Sequence, residues 1–195
     1  MATLIANLSM SIDGFIADPD DGVGEIFNWY GDGPVEVRDF TGHTFLMHEP
    51  SATVLRGAFE RTGAFLVGRR LYDVTHGWHG RPPVEAPMVV VTHDPPEDWP
   101  RDGVPITFVS DGIERAVAEA RRLAGDLDVG VAGAAVAREC LAAGLLDEIM
   151  INLVPVVLGR GIPFLAGVAN APVRFADPEV IEAPGVTHLR YRVRS

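Results

Sequence analysis

Short apolar strands alternate with helical segments through the middle of this chain, and that order restricts the folds it can adopt. Parallel strands need a long crossover between them, usually a helix, so the alternation predicts a mostly parallel central sheet with helices on both faces. Residues 173–182 and 186–194 flank Pro184-Gly185 and predict an antiparallel hairpin at one edge. The other predicted strands are residues 3–8, 64–67, 88–91, 106–109, 128–131 and 148–154.

The predicted helices have recognisable boundaries. Ser51, which follows Pro50, has a side chain that suits an N-cap, and Asp111 with Glu114 three residues later forms a capping-box pattern. Gly125 is expected to end the helix that Asp111 begins, because glycine readily adopts the left-handed conformation found there. The predicted helices are residues 51–61, 69–74, 112–124 and 135–143.

A long segment near the amino terminus, residues 9–34, is rich in glycine, aspartate and proline. Asp13-Gly14 and the run 18–22 are typical of turns, so the segment predicts a long loop and not regular structure. It also carries Phe15 and Trp29, which are too apolar for a solvated linker. Long loops in compact domains are usually functional or disordered, and we expect this one to fold over a site.

The composition predicts one globular domain over residues 1–195, since a chain of this length buries a large core without disulfides or metal. The formal net charge is −11, and all 16 basic residues are arginines. Without lysine, the chain has no side-chain amine for Schiff-base chemistry. The negative charge argues against a nucleic-acid-binding surface, whereas local arginines and backbone amides can still bind an anionic ligand.

Several other function classes find no support in the sequence. Cys140 lies in an apolar run and is expected to be a buried hydrophobic residue, not a nucleophile. His76 and His79 do not complete a metal-binding motif, and we expect no metal. The sequence shows no signal-peptide pattern and no apolar run long enough to span a membrane. We therefore expect a cytoplasmic protein without membrane contact.

Three corners follow predicted strands and contain residues that suit an anionic ligand. Gly68-Arg69-Arg70 combines exposed backbone amides with two guanidinium groups that can bind phosphate in a bidentate manner. Thr92-His93 ends a second strand, and Ala132-Gly133-Ala134 forms another turn into a helix. Because ligands of α/β sheets bind beyond the carboxyl ends of strands, the three corners predict one shared cleft. Solvated arginines and an ordinary tight turn are the alternative interpretation.

Six stretches of the chain follow one another in the order found in a known family, and they are residues 8–17, 66–72, 89–93, 111–114, 144–149 and 155–161. On these stretches the chain resembles the dihydrofolate-reductase-like superfamily. It is most similar to the branch that includes the reductase domain of riboflavin biosynthesis. The resemblance implies a three-layer α/β sandwich, with a mixed, mostly parallel sheet and a C-terminal antiparallel hairpin.

The resemblance also implies NADPH binding and hydride transfer. Arg69 and Arg70 would bind the 2′-phosphate and the pyrophosphate of the cofactor, and arginine suits the phosphate that distinguishes NADP from NAD. Thr92 and His93 would lie at the adenosine end. The other cofactor contacts that the resemblance implies are Gly68, Ala132, Gly133 and Ala134 near the pyrophosphate, and Ala6, Asn7, Ile16 and Ala17 around the nicotinamide.

The resemblance leaves the substrate and its proton donor less defined than the cofactor. Asp13 would lie near the nicotinamide and is the candidate for substrate binding or proton relay, although Asp-Gly is also an ordinary turn pair. Trp29, Tyr72 and Trp78 are candidates to line a flat heterocyclic substrate site, or else they pack in the core. The helix 51–61 has no carboxylate at its start, unlike true dihydrofolate reductases, which argues against folate reduction itself.

Three functions therefore remain open. The first is an NADPH-dependent reductase of a pteridine- or pyrimidine-like substrate, including a 5-amino-6-(5-phosphoribosylamino)uracil reductase of riboflavin biosynthesis. The second is a non-catalytic nucleotide-binding module, suggested by Leu71 where the family often has threonine. The third is a flavin-nucleotide binder. The resemblance further implies a homodimer, for which the apolar segment 149–165 and the C-terminal hairpin are the predicted interface.

Overall fold

The computed structural model describes residues 2–82, 84–97 and 103–194. Its strands are β1 (Leu4–Ser11), β2 (Phe15–Ala17), β3 (Val35–Arg38), β4 (Thr44–Met47), β5 (Thr62–Gly68), β6 (Met88–Val91), β7 (Ile106–Val109), β8 (Asp128–Ala132), β9 (Glu148–Val154), β10 (Ile162–Pro163), β11 (Glu179–Ala183) and β12 (Val186–Arg192). Its α-helices are α1 (Glu49–Arg61), α2 (Arg69–Val74), α3 (Ile113–Ala124) and α4 (Ala134–Ala142), and 3-10 helices cover Glu25–Tyr30 and His76–Gly80.

An eight-stranded mixed sheet forms the centre of the fold, in the order β11-β12-β9-β1-β8-β5-β6-β7. The six strands from β9 to β7 are parallel, and β12 and β11 are added antiparallel at one edge. The parallel sheet and the C-terminal hairpin predicted from the sequence are thereby confirmed. Two small antiparallel pairs, β10 with β2 and β3 with β4, lie outside this sheet.

The two faces of the sheet differ in polarity. Leu4 and Ala6 of β1 are fully buried in the core on the face that α3 and α4 cover. Asn7 and Ser9 alternate with them and bond to side chains on the opposite face, which α1 covers. We call this second side the α1 face. Its polar strand residues are unusual for a strand in the middle of a sheet, and they mark the side on which a polar site can form.

Helix α3 buries an alanine- and valine-rich stripe, with Ala116, Val117 and Ala120 inside, and its neighbour Gly125 adopts a φ of +62°. The end of the helix was therefore predicted correctly. The capping box was not: Gly112 is the N-cap residue and no side chain caps the helix. Gly112 has a φ of +97°, a conformation that glycine allows and that moves the helix start one residue beyond the position predicted from Asp111.

Helix α1 begins at Glu49, two residues before the predicted start, with His48 as the N-cap residue. Glu49 therefore provides a carboxylate in the first turn, and the prediction that the start of this helix lacks one was wrong. Pro50 lies in the first turn, where the missing N–H of proline costs nothing. Ser51 is consequently inside the helix and almost completely buried. Its hydroxyl is bound to another side chain and not to the helix terminus, so the prediction that Ser51 is the N-cap was wrong.

The segment 9–34 has more regular structure than the sequence predicted. Strand β1 continues to Ser11, β2 pairs with β10, and the 3-10 helix Glu25–Tyr30 follows. The hairpin of β3 and β4 was not predicted at all. These elements are short, and the turn residues beside them predict loops. The strand pattern of so few residues is too weak to be recognised in the sequence.

The predicted dimer segment 149–165 begins with strand β9 and continues into the loop that follows it. Strand β9 lies between β1 and β12 in the interior of the sheet, so its backbone is not available to another subunit. The exposed apolar residues of this region are Val157 in the following loop and Val180 on the edge strand β11.

Candidate functional site

The carboxyl ends of four adjacent parallel strands, β1, β8, β5 and β6, meet at one edge of the sheet. Gly68 at the end of β5 is in register with Val91, the last residue of β6, so Thr92 lies next to this corner. Val67 is in register with Ala132 at the end of β8, which brings Gly133 to the same edge. The three predicted corners therefore lie side by side.

Two glycines allow the backbone to pack closely at this edge. A Cβ atom on Gly68 would lie 2.9 Å from a methyl group of Val136, which is closer than real Cβ contacts. Gly133, the N-cap residue of α4, has a φ of +95°, which residues with a side chain rarely adopt. A hypothetical Cβ on Gly133 would lie 3.9 Å from Leu71 of α2, so the two corners are neighbours.

Arg69 and Arg70 extend from the first corner and both bind carboxylates. Nε of Arg69 donates to both oxygens of Asp73 at 2.8 and 3.0 Å, and its Nη1 donates to the carbonyl of Asp94. Arg70 forms a bidentate pair with Asp21, with Nε–Oδ1 at 2.9 Å and Nη2–Oδ2 at 3.0 Å. The hydrogen bond from each arginine to its aspartate raises the arginine pKa.

The Arg70–Asp21 pair connects the cleft edge to the segment 9–34. This contact is consistent with the prediction that the segment folds over a site. The guanidinium of Arg70 is already in the fork geometry that binds carboxylate or phosphate, whereas Arg69 contacts its carboxylate through Nε alone. Of the remaining predicted adenosine contacts, Thr92 is nearly buried and accepts a hydrogen bond from the Asp94 amide at 3.2 Å. His93 is exposed.

The four residues predicted around a nicotinamide do not all lie on one side of the sheet. The side chain of Ala6 is buried under α3 and α4, whereas Asn7 faces the α1 side and is partly accessible. Ile16 and Ala17 lie on β2, which packs against the chain at Gly161. A Cβ on Gly161 would lie 2.1 Å from the Ala17 carbonyl oxygen, so this contact requires glycine.

Asp13 is held in a loop contact. Its carboxylate accepts hydrogen bonds from the Ser11 hydroxyl at 2.7 Å and from the amides of Leu158 and Gly159 at 3.1 and 2.7 Å. The Ser11 hydrogen bond and the two amides lower the pKa of Asp13, partly opposed by desolvation. An acid with a lowered pKa is ionised near neutral pH and delivers a proton poorly. The geometry therefore favours a structural role for Asp13, holding the loop 157–159 against β1.

The three aromatic residues predicted to line a substrate site are not brought together. Trp29 is buried among residues of α1, β4 and the 3-10 helix, stacks on Tyr30 and donates from Nε1 to the Ser9 hydroxyl at 3.2 Å. Tyr72 and Trp78 belong to a different cluster, beside β5, β6 and β7. There Tyr72 packs edge-on against Phe108, with ring centroids 5.0 Å apart.

A cavity of about 230 Å³ lies between α1 and the sheet on the α1 face. Val54 and Ala58 of α1 form one wall. Asn7 and His188 contribute neutral polar groups to the lining, and Asp128, Glu179 and Arg190 contribute charged ones. Arg61, at the carboxyl end of α1, also lines the cavity and pairs with Asp128 at 3.0 Å. The volume is below the range of roughly 300–1,000 Å³ usual for drug-sized ligands, so it suits a small ring system.

Sequence reasoning missed the side chains that give this cavity its polarity. His188 is almost completely buried and lies between Ser51 and Asn152, 2.9 Å from the Ser51 hydroxyl and 2.7 Å from Asn152 Oδ1. Burial lowers the pKa of His188 to about 4. Burial has the opposite effect on Tyr30, which stacks on Trp29, and raises its pKa to about 12. The signal that was available is the alternation of β9 and β12, which places Asn152 and His188 opposite each other on one face.

Other titratable groups give no second site in the described part of the chain. Cys140 is buried, as predicted, and burial raises the pKa of its thiol to about 12. Within residues 2–82, 84–97 and 103–194 there is no group of three or more metal-ligating side chains. Among the helices of the same residues, none is long and apolar enough to cross a membrane.

The sequence matches one protein family over most of its length. Residues 2–183 match the family model described as the RibD C-terminal domain. The matched range includes the three corners, α1 and the strands of the central sheet as far as β11. No curated protein matches the chain.

Solved structures share the fold at low sequence identity. A putative riboflavin biosynthesis protein from Shewanella sp. PV-4 has a TM-score of 0.75 and 20% identity, covering 100% of both chains. Dihydrofolate reductase from Enterococcus faecalis, solved with NADP(H), has a TM-score of 0.57 and 17% identity, covering 99% of this chain and 97% of that one. These similarities show a dihydrofolate-reductase-like fold.

A third structure is larger than this chain. It is a diaminohydroxyphosphoribosylaminopyrimidine deaminase/5-amino-6-(5-phosphoribosylamino)uracil reductase from Thermotoga maritima, with a TM-score of 0.62 and 14% identity. The alignment covers 99% of this chain and 57% of that protein. The resemblance noted from the six sequence stretches is thus confirmed at the level of family and fold.

Proposed function

This chain belongs to the RibD C-terminal domain family, and from that premise we propose that it is an NADPH-dependent reductase of a small heterocyclic substrate. The family and its structural neighbours support a reductase of the riboflavin-biosynthesis type. The observation that carries the proposal is the convergence of Gly68-Arg69-Arg70, Thr92 and Gly133 at the carboxyl edge of adjacent parallel strands. That edge is where α/β sheets bind nucleotides.

The residues at this edge fit a phosphorylated dinucleotide. Arg69 and Arg70 would bind the phosphates, because both guanidinium groups already bind carboxylates and that of Arg70 does so in a bidentate manner. Gly133, with Ala132 and Ala134 beside it, would let the backbone approach the pyrophosphate at the start of α4. Thr92 and His93 would lie at the adenosine end. When bound, NADPH supplies the hydride.

The substrate would occupy the cavity on the α1 face. Asn7, Ile16 and Ala17, with the backbone of Ala6, would frame the nicotinamide end of the cofactor, which the substrate ring must contact to receive the hydride. The named activities of the structural neighbours favour a pyrimidine- or pteridine-like ring, and the riboflavin precursor 5-amino-6-(5-phosphoribosylamino)uracil is the specific candidate. We assign Asp13 the role of holding the loop 157–159 and not that of proton donor. Trp29, Tyr72 and Trp78 are assigned to packing.

The assembly and location in the cell follow the same proposal. We propose a cytoplasmic homodimer in which the edge strand β11, with Val180 exposed, and the loop around Val157 meet a second copy. Light scattering of the purified protein at micromolar concentration is expected to give twice the chain mass. A monomer would rule out this assembly without affecting the cofactor proposal.

The first experiment is a fluorescence titration of the purified protein with NADPH and, in parallel, with NADH. Tight NADPH binding that weakens at least tenfold in Arg70→Ala, with less effect on NADH, is expected because the lost guanidinium would contact the 2′-phosphate. Arg122→Ala is the matched control, since Arg122 is exposed and pairs with Glu119 on α3 instead. Absence of binding by either cofactor would reject the reductase.

The same preparation separates the alternatives left open by the sequence. A purified protein with visible flavin absorption would favour a flavin-nucleotide binder. NADPH binding without oxidation of NADPH by any pyrimidine or pteridine tested would favour a non-catalytic nucleotide-binding module.

A further inference from the structure

A buried chain of hydrogen bonds crosses the α1 face and ends at the wall of the cavity. The Ser51 hydroxyl lies 2.9 Å from His188 Nε2, and His188 Nδ1 lies 2.7 Å from Asn152 Oδ1. The amide nitrogen of Asn152 then donates to Asn7 Oδ1 at 2.9 Å. Ser51, His188 and Asn152 are at most 3% exposed, whereas Asn7 is partly accessible and lines the cavity.

With the amide of Asn152 oriented as in the structure, the direction of every hydrogen bond in this network follows. Asn152 Oδ1 has no hydrogen, so the bond to it must be donated by His188 Nδ1. A neutral imidazole carries only one N–H, so His188 Nε2 is the acceptor of the Ser51 hydroxyl. The charged form of His188 is disfavoured in this position by burial. The chain therefore runs from Ser51 to Asn7 with each residue donating to the next.

Asn7 is the last residue of the chain, and its acceptor oxygen is already used. Its amide nitrogen has no hydrogen-bond partner among residues 2–82, 84–97 and 103–194. The two N–H groups of Asn7 are therefore the part of this network available to a molecule in the cavity. They match a ligand acceptor such as a carbonyl oxygen, and they oppose a ligand N–H placed at the same position.

We propose that Asn7 selects ring substrates by donating a hydrogen bond to a ring carbonyl oxygen, with Ser51, His188 and Asn152 as positioning residues that set the direction of its amide. The substrate class is a cyclic amide, that is, a pyrimidinone or pteridinone, as opposed to a pyrimidine that carries amino groups and no ring carbonyl. This inference rests on the proposed function only in taking the α1-face cavity as the substrate site. Leaving a buried donor unpaired costs more than a missing contact, which is why such a site discriminates strongly.

The first test measures the direction of the hydrogen bonds from Ser51 to Asn7 without any ligand. Nitrogen NMR of the full chain with labelled histidine reports the tautomer of each imidazole, and a His188→Gln spectrum identifies the His188 signals. We expect His188 to be neutral at pH 7 with its proton on Nδ1. A proton on Nε2 would reverse every hydrogen bond, present the oxygen of Asn7 to the cavity and overturn the proposal.

The second test compares two rings that differ at the proposed contact. We expect 6-aminouracil, which has ring carbonyls, to bind at least tenfold more tightly than 2,4,6-triaminopyrimidine at pH 8, measured by ligand-observed NMR. Asn7→Asp replaces the donor with an acceptor and is expected to reverse that preference. Asn28→Asp makes the same chemical change at an exposed residue of the 3-10 helix and is expected to leave the preference intact.

The positioning residues are tested by the ratio of the two affinities. Ser51→Ala removes the donor to His188 Nε2, so the preference for 6-aminouracil is expected to fall several-fold, together with a change in the His188 tautomer signal. A purely structural role would alter stability but would leave both the tautomer and the ratio unchanged.

NADPH titration of the same samples separates this inference from the proposed function. Equal affinity for the two rings, or no binding of either, in protein that binds NADPH would overturn the role of Asn7 alone. Ring preference without NADPH binding would reject the reductase and leave the role of Asn7 standing.

Discussion

Two aspartates of the segment 9–34 have the same charge and different partners. Asp13 accepts one hydrogen bond from Ser11 and two from the loop amides of Leu158 and Gly159. Asp21 reaches across to Arg70 on α2. The sequence indicates turns at both positions, and only the tertiary contacts distinguish a carboxylate that orders a loop from one that occupies an arginine of the cleft.

Asp21→Asn is expected to tighten NADPH binding. The substitution removes the carboxylate that competes with phosphate for Arg70, and it also removes a negative charge from the cleft edge. Exposed ion pairs are weak, so the gain should not exceed about fivefold. The fluorescence titration with NADPH measures it, with Asp20→Asn as the control because Asp20 makes no ion pair in the described structure. Weaker binding by Asp21→Asn would mean that Asp21 assists the cofactor.

The buried histidine predicts a pH dependence of stability. The pKa of His188 is about 4 in the folded protein, below its usual value near 6.5, so the unfolded chain takes up the proton first. Stability should therefore fall as pH decreases from about 6.5 to about 4, by on the order of 3 kcal/mol from this residue. Urea unfolding at several pH values measures this loss.

His188→Gln provides the comparison for that experiment. Glutamine does not titrate, so the variant is expected to lose much less stability over the same pH range, while the carboxylates contribute equally to both proteins. If the free energy of unfolding changed with pH to the same extent in both proteins, the lowered pKa of His188 would be contradicted.

At the scale of elements, the regular parts of the chain were predictable and their ends less so. The strands β6, β7 and β9 were predicted to the residue, because each is a β-branched or apolar run bounded by turn residues. Helix starts were missed where a glycine at positive φ or a proline in the first turn changed the local geometry, as at Gly112 and Pro50. The pair β2–β10 joins segments that are distant in sequence, whereas β3–β4 is a local hairpin of short strands that was not recognised.

The two turns into and out of helices provide a matched pair of variants. Gly133→Ala and Gly125→Ala both place a methyl group on a residue with positive φ, and each is expected to cost about 1 kcal/mol or more of stability. Only Gly133 lies at the cleft edge, so only Gly133→Ala should also weaken NADPH binding. Thermal unfolding and cofactor titration measure the two effects. Equal NADPH affinity in the two variants would show that Gly133 is not part of the cofactor site.

At the scale of the whole molecule, the order of strands and helices was sufficient to predict the sheet, and the resemblance supplied its topology. The candidate cleft was predictable because the corners follow from where parallel strands end. The cavity was not, because Asn7, Ser51, Asn152 and His188 are distant in sequence and meet only when β1, β9, β12 and α1 are assembled. The alternation of β9 and β12 indicates only that Asn152 and His188 face each other, and nothing along the chain connects that pair to Asn7 or Ser51.

The proposal of one domain over residues 1–195 predicts a single unfolding transition. Trp29 and Trp78 lie in separate clusters on the α1 face, on opposite sides of the polar strip formed by β1. Variants in which Trp99 is replaced and only one of these two tryptophans is kept are expected to give the same urea midpoint by fluorescence and by circular dichroism. Different midpoints for the two tryptophans would mean that the clusters unfold as independent units.

The ion pair between Arg70 and Asp21 affects which anions can bind to the Arg70 guanidinium. A tethered carboxylate acts as a built-in counter-ion, so small monovalent anions gain little by competing for that guanidinium. A dianionic phosphate group carries more charge on more oxygens and can replace the aspartate. The free protein would thus exclude chloride and acetate while it remains open to phosphate esters, and the displaced Asp21 would release its loop at the moment of exchange.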